Sequence, residues 1–125
     1  MILDTNALSA MADGDARLEP LLRRTRTIAL PVIVVGEYRY GVHQSHNRAK
    51  YEEWLADVLD NCRVLDVDIH TAEQYAAIRD ELKRSGQPIP GNDVWIAALA
   101  RQHDLPILSR DRHFDVVAGL RRIGW

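Results

Sequence analysis

The chain has 125 residues, 46% hydrophobic and 27% charged, with a net charge of −2; that is the length and balance of one soluble globular domain with its own core. The weak net charge argues against a general polyanion-binding surface, though a local patch or a bound cation can still attract nucleic acid, and the lone cysteine, Cys62, excludes an internal disulfide or a thiolate metal cluster. The longest apolar stretch, Ile28 to Val35, is broken by Pro31 and too short to span a bilayer, and the start lacks a signal peptide's basic region, so a cytoplasmic protein with no membrane attachment is expected. All but two of the 16 basic side chains are Arg, the exceptions being Lys50 and Lys83. Arg suits bidentate contact with phosphate or carboxylate, a mild pointer to anionic partners.

The opening run Met1-Ile2-Leu3-Asp4-Thr5-Asn6 reads as a buried strand that delivers a carboxylate at its end. In parallel sheets ligands gather beyond the carboxyl ends of the strands. Asp4 serves equally well, on these residues alone, as a turn residue or helix cap. Ala7 to Ala12 predicts a short helix closed by Asp13-Gly14, and Ala16 to Arg24 a second one, kinked at or started by Pro20. Thr27 to Leu30 predicts the next strand. Pro31 fits a first helical position, so Val32 to Val42 is expected as helix despite its β-branched run. Gly41, one turn beyond Glu37, is expected to let another backbone approach.

Tyr51, Trp54, Leu55, Val58, Leu59 and Cys62 recur at helical spacing and predict an amphipathic helix. Arg63 to Val67 follows as a third strand. Ala72 to Leu82 predicts a helix ended by Ser85-Gly86, and the Pro-rich segment Gln87 to Gly91 a loop. Asn92 is expected to cap an apolar helix, Asp93 to His103; Leu105 to Ser109 and Leu120 to Trp125 complete the strands. Strands alternating with helices imply βαβ units, a parallel sheet covered on both faces, and a single domain over residues 1–125. There is no internal repeat, low-complexity tract or linker.

Four acids fall where such a sheet brings residues together: Asp4 after the first strand, Glu37 in the helix after the second, Asp93 at the start of the apolar helix, and Asp111 after the fourth strand. Strands one and four are expected as neighbours at the point where the strand order reverses. Carboxylates crowded in one pocket repel one another unless a cation sits among them. Such oxygen-rich sites suit Mg²⁺ or Mn²⁺, which bridge to substrate phosphates and activate a water against a phosphodiester. Asp115, a turn beyond Asp111, is a fifth candidate. Each acid also has a plainer reading, as a first-turn helix charge, a turn acid or a solvated side chain. The joint placement favours the site.

The stretches Met1-Ile2-Leu3-Asp4-Thr5-Asn6, Gly36-Glu37-Tyr38-Arg39-Tyr40-Gly41, Asn92-Asp93-Val94-Trp95-Ile96-Ala97-Ala98 and Leu108-Ser109-Arg110-Asp111-Arg112-His113-Phe114 resemble, in order and at similar spacing, the successive motifs of PIN-domain proteins. The resemblance is greatest to the VapC-type toxins of bacterial toxin–antitoxin pairs. It implies a three-layer α/β/α sandwich on a mostly parallel sheet of four or five strands. It further implies a Mg²⁺- or Mn²⁺-dependent endoribonuclease, often a homodimer, held inactive by a cognate antitoxin protein. On the matching positions it implies Asp4, Glu37, Asp93 and Asp111 as the catalytic and metal-holding acids. Thr5, Asn6 and Ser109 match the polar residues that support them, whereas Asp115 matches a variable position.

Arg110 and Arg112 are candidates for RNA phosphate contacts, although ion pairs with the acids or plain exposure suit them as well. His113 reads as a loop residue beside Asp111 with a possible reach to substrate. His43 and His46 share a helical spacing but lack further zinc ligands, and Arg23, Arg24 and Arg26 form the one basic cluster, ordinarily a solvated face. Tyr38, Tyr40 and Trp54 are expected to pack. Other readings are an RNA-processing PIN nuclease that is not a toxin, a non-catalytic RNA- or protein-binding module, and an aspartyl phosphatase. The phosphatase pattern needs an acid two residues after the first, where Asn6 stands.

Overall fold

The computed structural model describes residues 1–125. Five short strands, β1 (Ile2–Leu3), β2 (Ala29–Pro31), β3 (Arg63–Leu65), β4 (Ile107–Leu108) and β5 (Arg122–Ile123), form one sheet in the order β3-β2-β1-β4-β5, parallel throughout. Six helices surround it: α1 (Thr5–Ala12), α2 (Glu19–Arg23), α3 (Val32–His43), α4 (Arg48–Asp60), α5 (Ile69–Arg84) and α6 (Gly91–His103). A 3₁₀ turn, Arg112–Val116, lies between β4 and β5. No helix is long and apolar enough to cross a membrane.

The central strand is β1, whose two residues are fully buried and pair on both sides: Ile2 with Ala29 and Ile107, Leu3 with Leu108. The order therefore reverses between β1 and β4, and the next residues out from that pair are Asp4 and Ser109. Both are buried polar residues following a central strand pair built of Ile and Leu. Twenty-four buried apolar residues form one core cluster. Helix α6 is its inner wall, with Val94 and every residue from Ile96 to Ala100 buried. Truncating a side chain such as Leu99 there costs about 2–5 kcal/mol, the range for emptying a core leucine site.

The local chemistry explains where these elements begin and end. Strand β4 is shorter than the predicted Leu105 to Ser109, because Pro106 has no N–H to donate; the ladder begins at Ile107, which donates to the Arg121 carbonyl at 3.0 Å. Pro31 is the last residue of β2 and the N-cap of α3 rather than its first helical residue, while the helix itself starts at Val32 as expected. Helix α5 starts at Ile69 rather than Ala72, because Asp68 and Thr71 close a capping box: the Asp68 carboxylate accepts from the His70 and Thr71 N–H groups, and the Thr71 hydroxyl accepts from the Asp68 N–H. Its other end closes as a Schellman motif, with Gln87 N–H on the Leu82 carbonyl, Gly86 N–H on that of Lys83, and Gly86 at φ +69°.

Four other expectations are corrected. Helix α6 is capped by Pro90 in extended geometry, and Asn92 is exposed inside its first turn, not its cap. A side-chain carbon added at Gly41 would meet nothing within 4 Å, so no backbone presses on it. Strand β3 is a half-open edge, with Arg63 and Val64 exposed and only Leu65 buried. Tyr38 and Trp54 do pack, ring centres 5.8 Å apart, while Tyr40 is largely solvent-exposed.

Candidate active site

Beyond the carboxyl ends of β1 and β4, Asp4 is a helix cap and a buried site acid at once. Its Oδ1 accepts the Ala7 N–H at 2.8 Å and so caps α1, while its Oδ2 accepts a short hydrogen bond from the Ser109 hydroxyl across the strand pair. Burial pushes the Asp4 carboxyl up, and the charges of Asp93 and Asp111 add to the rise. The Ser109 and Ala7 bonds offset part of it. Ser109 is wholly buried and also accepts the Asp111 N–H at 2.8 Å, so one hydroxyl ties the first acid to the backbone of another.

Asp93 projects from the first turn of α6 and is half-buried. Burial is the main cause of its raised pKa; a hydrogen bond to His113 works against this, and the Asp111 charge works with it. Asp111 is the N-cap of the 3₁₀ turn, its Oδ1 accepting the His113 N–H at 2.9 Å. That fold-back brings the His113 ring between two acids: Nδ1 lies 3.1 Å from Asp93 Oδ2 and 3.0 Å from Asp111 Oδ1. One ligand atom each from Asp93, Asp111 and His113 lies within 4.8 Å of the other two, close enough to share one cation. The expectation of His113 as a plain loop residue is thus corrected. The signal available in the sequence was the Asp-x-His spacing after a strand end, which an Asx-type turn converts into proximity.

Glu37 stands slightly apart, on the second turn of α3. Its Oε1 accepts the Thr5 hydroxyl at 3.2 Å, which links it to the residue next to Asp4. Thr5 and Glu37 also open onto a cleft of about 290 Å³ between α1, α3 and α4, shared with Ser9, Asp13, Gly41 and Tyr51. The Tyr38 hydroxyl is buried at this cleft without a hydrogen-bond partner. Burial first, and then the neighbouring Tyr51 and Asp13, push its pKa up to about 12.

The remaining candidates are turned to other work. Asp115 is held by both ends of the Arg122 guanidinium, at 2.8 and 3.1 Å, which keeps its carboxyl below the ordinary range and out of the acid group. Arg110 donates to Asp15 at 3.1 Å and lies 4.6 Å from the ring centre of Trp125, so it does not reach toward the acids. Arg112 is exposed. Asn6 is exposed in α1 and makes no side-chain hydrogen bond to the acids, in contrast to Thr5 and Ser109. His43 bonds to Arg48 and approaches Glu52, with no partner in His46. The arrangement can therefore hold a divalent cation between Asp93, Asp111 and His113, beside the buried charge of Asp4.

Residues 1–120 match the family model of the PIN domain. Ribonuclease VapC5 of Mycobacterium tuberculosis is 32% identical over 121 residues, which cover 94% of this chain and 87% of that protein. Among solved structures, the VapBC2 complex of Rickettsia felis bound to a fragment of promoter DNA superimposes with a TM-score of 0.86 at 26% identity, over 99% of this chain and 97% of the other. VapBC-5 of Mycobacterium tuberculosis, a member of the VapBC family of toxin–antitoxin systems, gives 0.68 at 33% identity over 78% and 82%.

Proposed function

The chain belongs to the PIN-domain family, and on that footing we propose that it is a VapC-type ribonuclease, the toxin of a toxin–antitoxin pair, hydrolysing RNA phosphodiesters with the help of Mg²⁺ or Mn²⁺. The ribonuclease relative and the toxin–antitoxin neighbour support the class. The observation that carries the chemistry is the meeting of Asp93, Asp111 and His113 beside buried Asp4; the pKa values of Asp4 and Asp93 are raised by burial first and then by neighbouring carboxylates. Crowded acids whose charged forms are disfavoured by burial and by neighbouring carboxylates are what a site looks like when it is shaped around a cation.

In this reading Asp93 and Asp111 hold the cation and Asp4 supplies fixed negative charge from the strand end. Ser109 and the Ala7 N–H fix the direction of the Asp4 carboxylate. Glu37, oriented by Thr5, accepts a proton or orients water on the cleft side. When bound, the divalent ion lowers the pKa of water and neutralises charge on the scissile phosphate. Residues 1–125 act as one domain, and the cognate antitoxin is the expected partner.

The test is cleavage of total cellular RNA by the purified protein with Mg²⁺, Mn²⁺ or EDTA, alongside Asp93→Asn. Metal-dependent cuts at discrete sites are expected, lost in Asp93→Asn by on the order of 100-fold or more, since several kcal/mol of charge stabilisation disappear with one ligand. Full cleavage in EDTA, or in Asp93→Asn, would overturn the proposal.

A further inference from the structure

We infer that His113 is itself a ligand of the divalent cation, and that its nitrogen tilts this site toward Mn²⁺ over Mg²⁺. The inference rests on the metal-dependent nuclease reading and adds to it the identity of the third ligand and the resulting metal preference. The geometry comes first. Adjacent ligands of an octahedral ion with bonds of about 2.1 Å stand about 3.0 Å apart, the bond length multiplied by the square root of two. His113 Nδ1 lies 3.0 Å from Asp111 Oδ1 and 3.1 Å from Asp93 Oδ2. Those match two ligand–ligand edges of such an ion, both meeting at His113 Nδ1, and all three ligand atoms lie within 4.8 Å of one another.

The placement is also fixed from the backbone. The His113 N–H is tied to Asp111 Oδ1 at 2.9 Å, and the next residue, Phe114, is wholly buried. The ring is thereby carried on an anchored turn rather than on a free loop, although it stays half open to solvent, at 49% exposure. In the metal-free protein the ring bridges the two acids, and with metal present it trades that contact for the cation, an exchange that can be read directly. Chemistry provides the handle. Carboxylates and water suit Mg²⁺ and Mn²⁺ alike, whereas imidazole suits first-row transition ions and is a poor partner for Mg²⁺.

The experiment uses the full chain with MnCl₂ and MgCl₂ as probes. Pulsed electron paramagnetic resonance of the Mn²⁺-loaded protein should show the nitrogen coupling of a directly bound imidazole, absent in His113→Asn. Calorimetry should show Mn²⁺ affinity falling about tenfold or more in His113→Asn, with Mg²⁺ affinity changed by no more than about threefold, since only the nitrogen-preferring ion loses a favoured donor. Wild-type protein that binds Mn²⁺ without nitrogen coupling would overturn the assignment, and this arm requires no variant to fold. Equal Mn²⁺ affinity in folded His113→Asn would overturn it as well. Failure of the wild type to bind either ion would bring down the metal-dependent reading as a whole, an outcome distinct from both.

Discussion

Replacing Ser109 by Ala should cost more stability than any other single-oxygen deletion at this site, and the cost should depend on the charge of Asp4. The hydroxyl is wholly buried, donates to Asp4 Oδ2 and accepts the Asp111 N–H at 2.8 Å. A hydrogen bond to a charged group contributes about 1.5–3 kcal/mol, and the orphaned N–H adds up to about 1 kcal/mol, because Asp111 is only partly buried and water can reach it. The expected loss is about 2–4 kcal/mol against a typical domain stability of about 5–15 kcal/mol. With Asp4→Asn already in place the same hydroxyl faces a neutral amide, where a bond contributes about 0.5–1.5 kcal/mol. The double-mutant cycle should therefore return a coupling of about 1–2 kcal/mol. Urea unfolding followed by tryptophan fluorescence, in EDTA near neutral pH, measures all four corners with an unchanged m-value as the check on a common mechanism. A Ser109→Ala loss below about 1 kcal/mol, or an equal loss in both backgrounds, would refute the view that this hydroxyl stabilises the Asp4 charge.

Asp4→Asn carries its own pH signature. Burial raises the native carboxyl above the ordinary aspartate value of about 3.9, so between those two values the native state holds a proton that the unfolded chain has released. Stability then falls as pH rises through that window. The metal-free Asp4→Asn protein should accordingly be more stable than its parent at about pH 7.5 and show no such gain at about pH 3.5; a gain of equal size at both would place the effect elsewhere. Asp115→Asn should leave metal-dependent RNA cleavage unchanged, because that carboxylate is occupied by Arg122, and a loss of cleavage comparable to that of Asp93→Asn would return Asp115 to the metal site.

The parts of this architecture that one-dimensional reasoning reaches are those set by nearest neighbours and by period. An apolar dipeptide stopped by a polar residue reads as a strand end before its partners are known, and the fourth strand's similar form, Ile107-Leu108 stopped by Ser109, makes the two natural neighbours. The long amphipathic repeats of α4 and α5 are read off directly. Boundaries are harder, for reasons with names. Pro90 caps α6 through extended backbone geometry and not through a side chain, so the capping preference of Asn92 misleads. The Asp68–Thr71 box begins α5 three residues ahead of its periodic face, and its Thr71 hydroxyl is further engaged by Gln102, 31 residues away, at 2.6 Å.

The site itself divides along the same line. Asp4, Asp93 and Asp111 are predictable because strand ends and helix starts on one sheet edge must meet. His113 is harder: the Asp-x-His spacing hints at proximity, but the ring's position depends on a 3₁₀ turn whose direction is set by the burial of Phe114 together with the Asx bond at 2.9 Å. Arg110 fails in the opposite sense: adjacent in sequence to an acid, it is drawn away by Asp15 and Trp125, residues remote in the chain. Asp4 shows why the structural and the chemical interpretations of a single acid need not compete. A carboxylate has two oxygens. One can satisfy the open N–H groups of a helix while the other, steadied by Ser109, faces the acids across the sheet. The cap fixes where the charge points, and a buried charge of fixed direction is what the proposed electrostatic role of Asp4 requires. The stability given up to burying that charge is then the cost of holding it still, and the cation proposed for this site would offset it on binding.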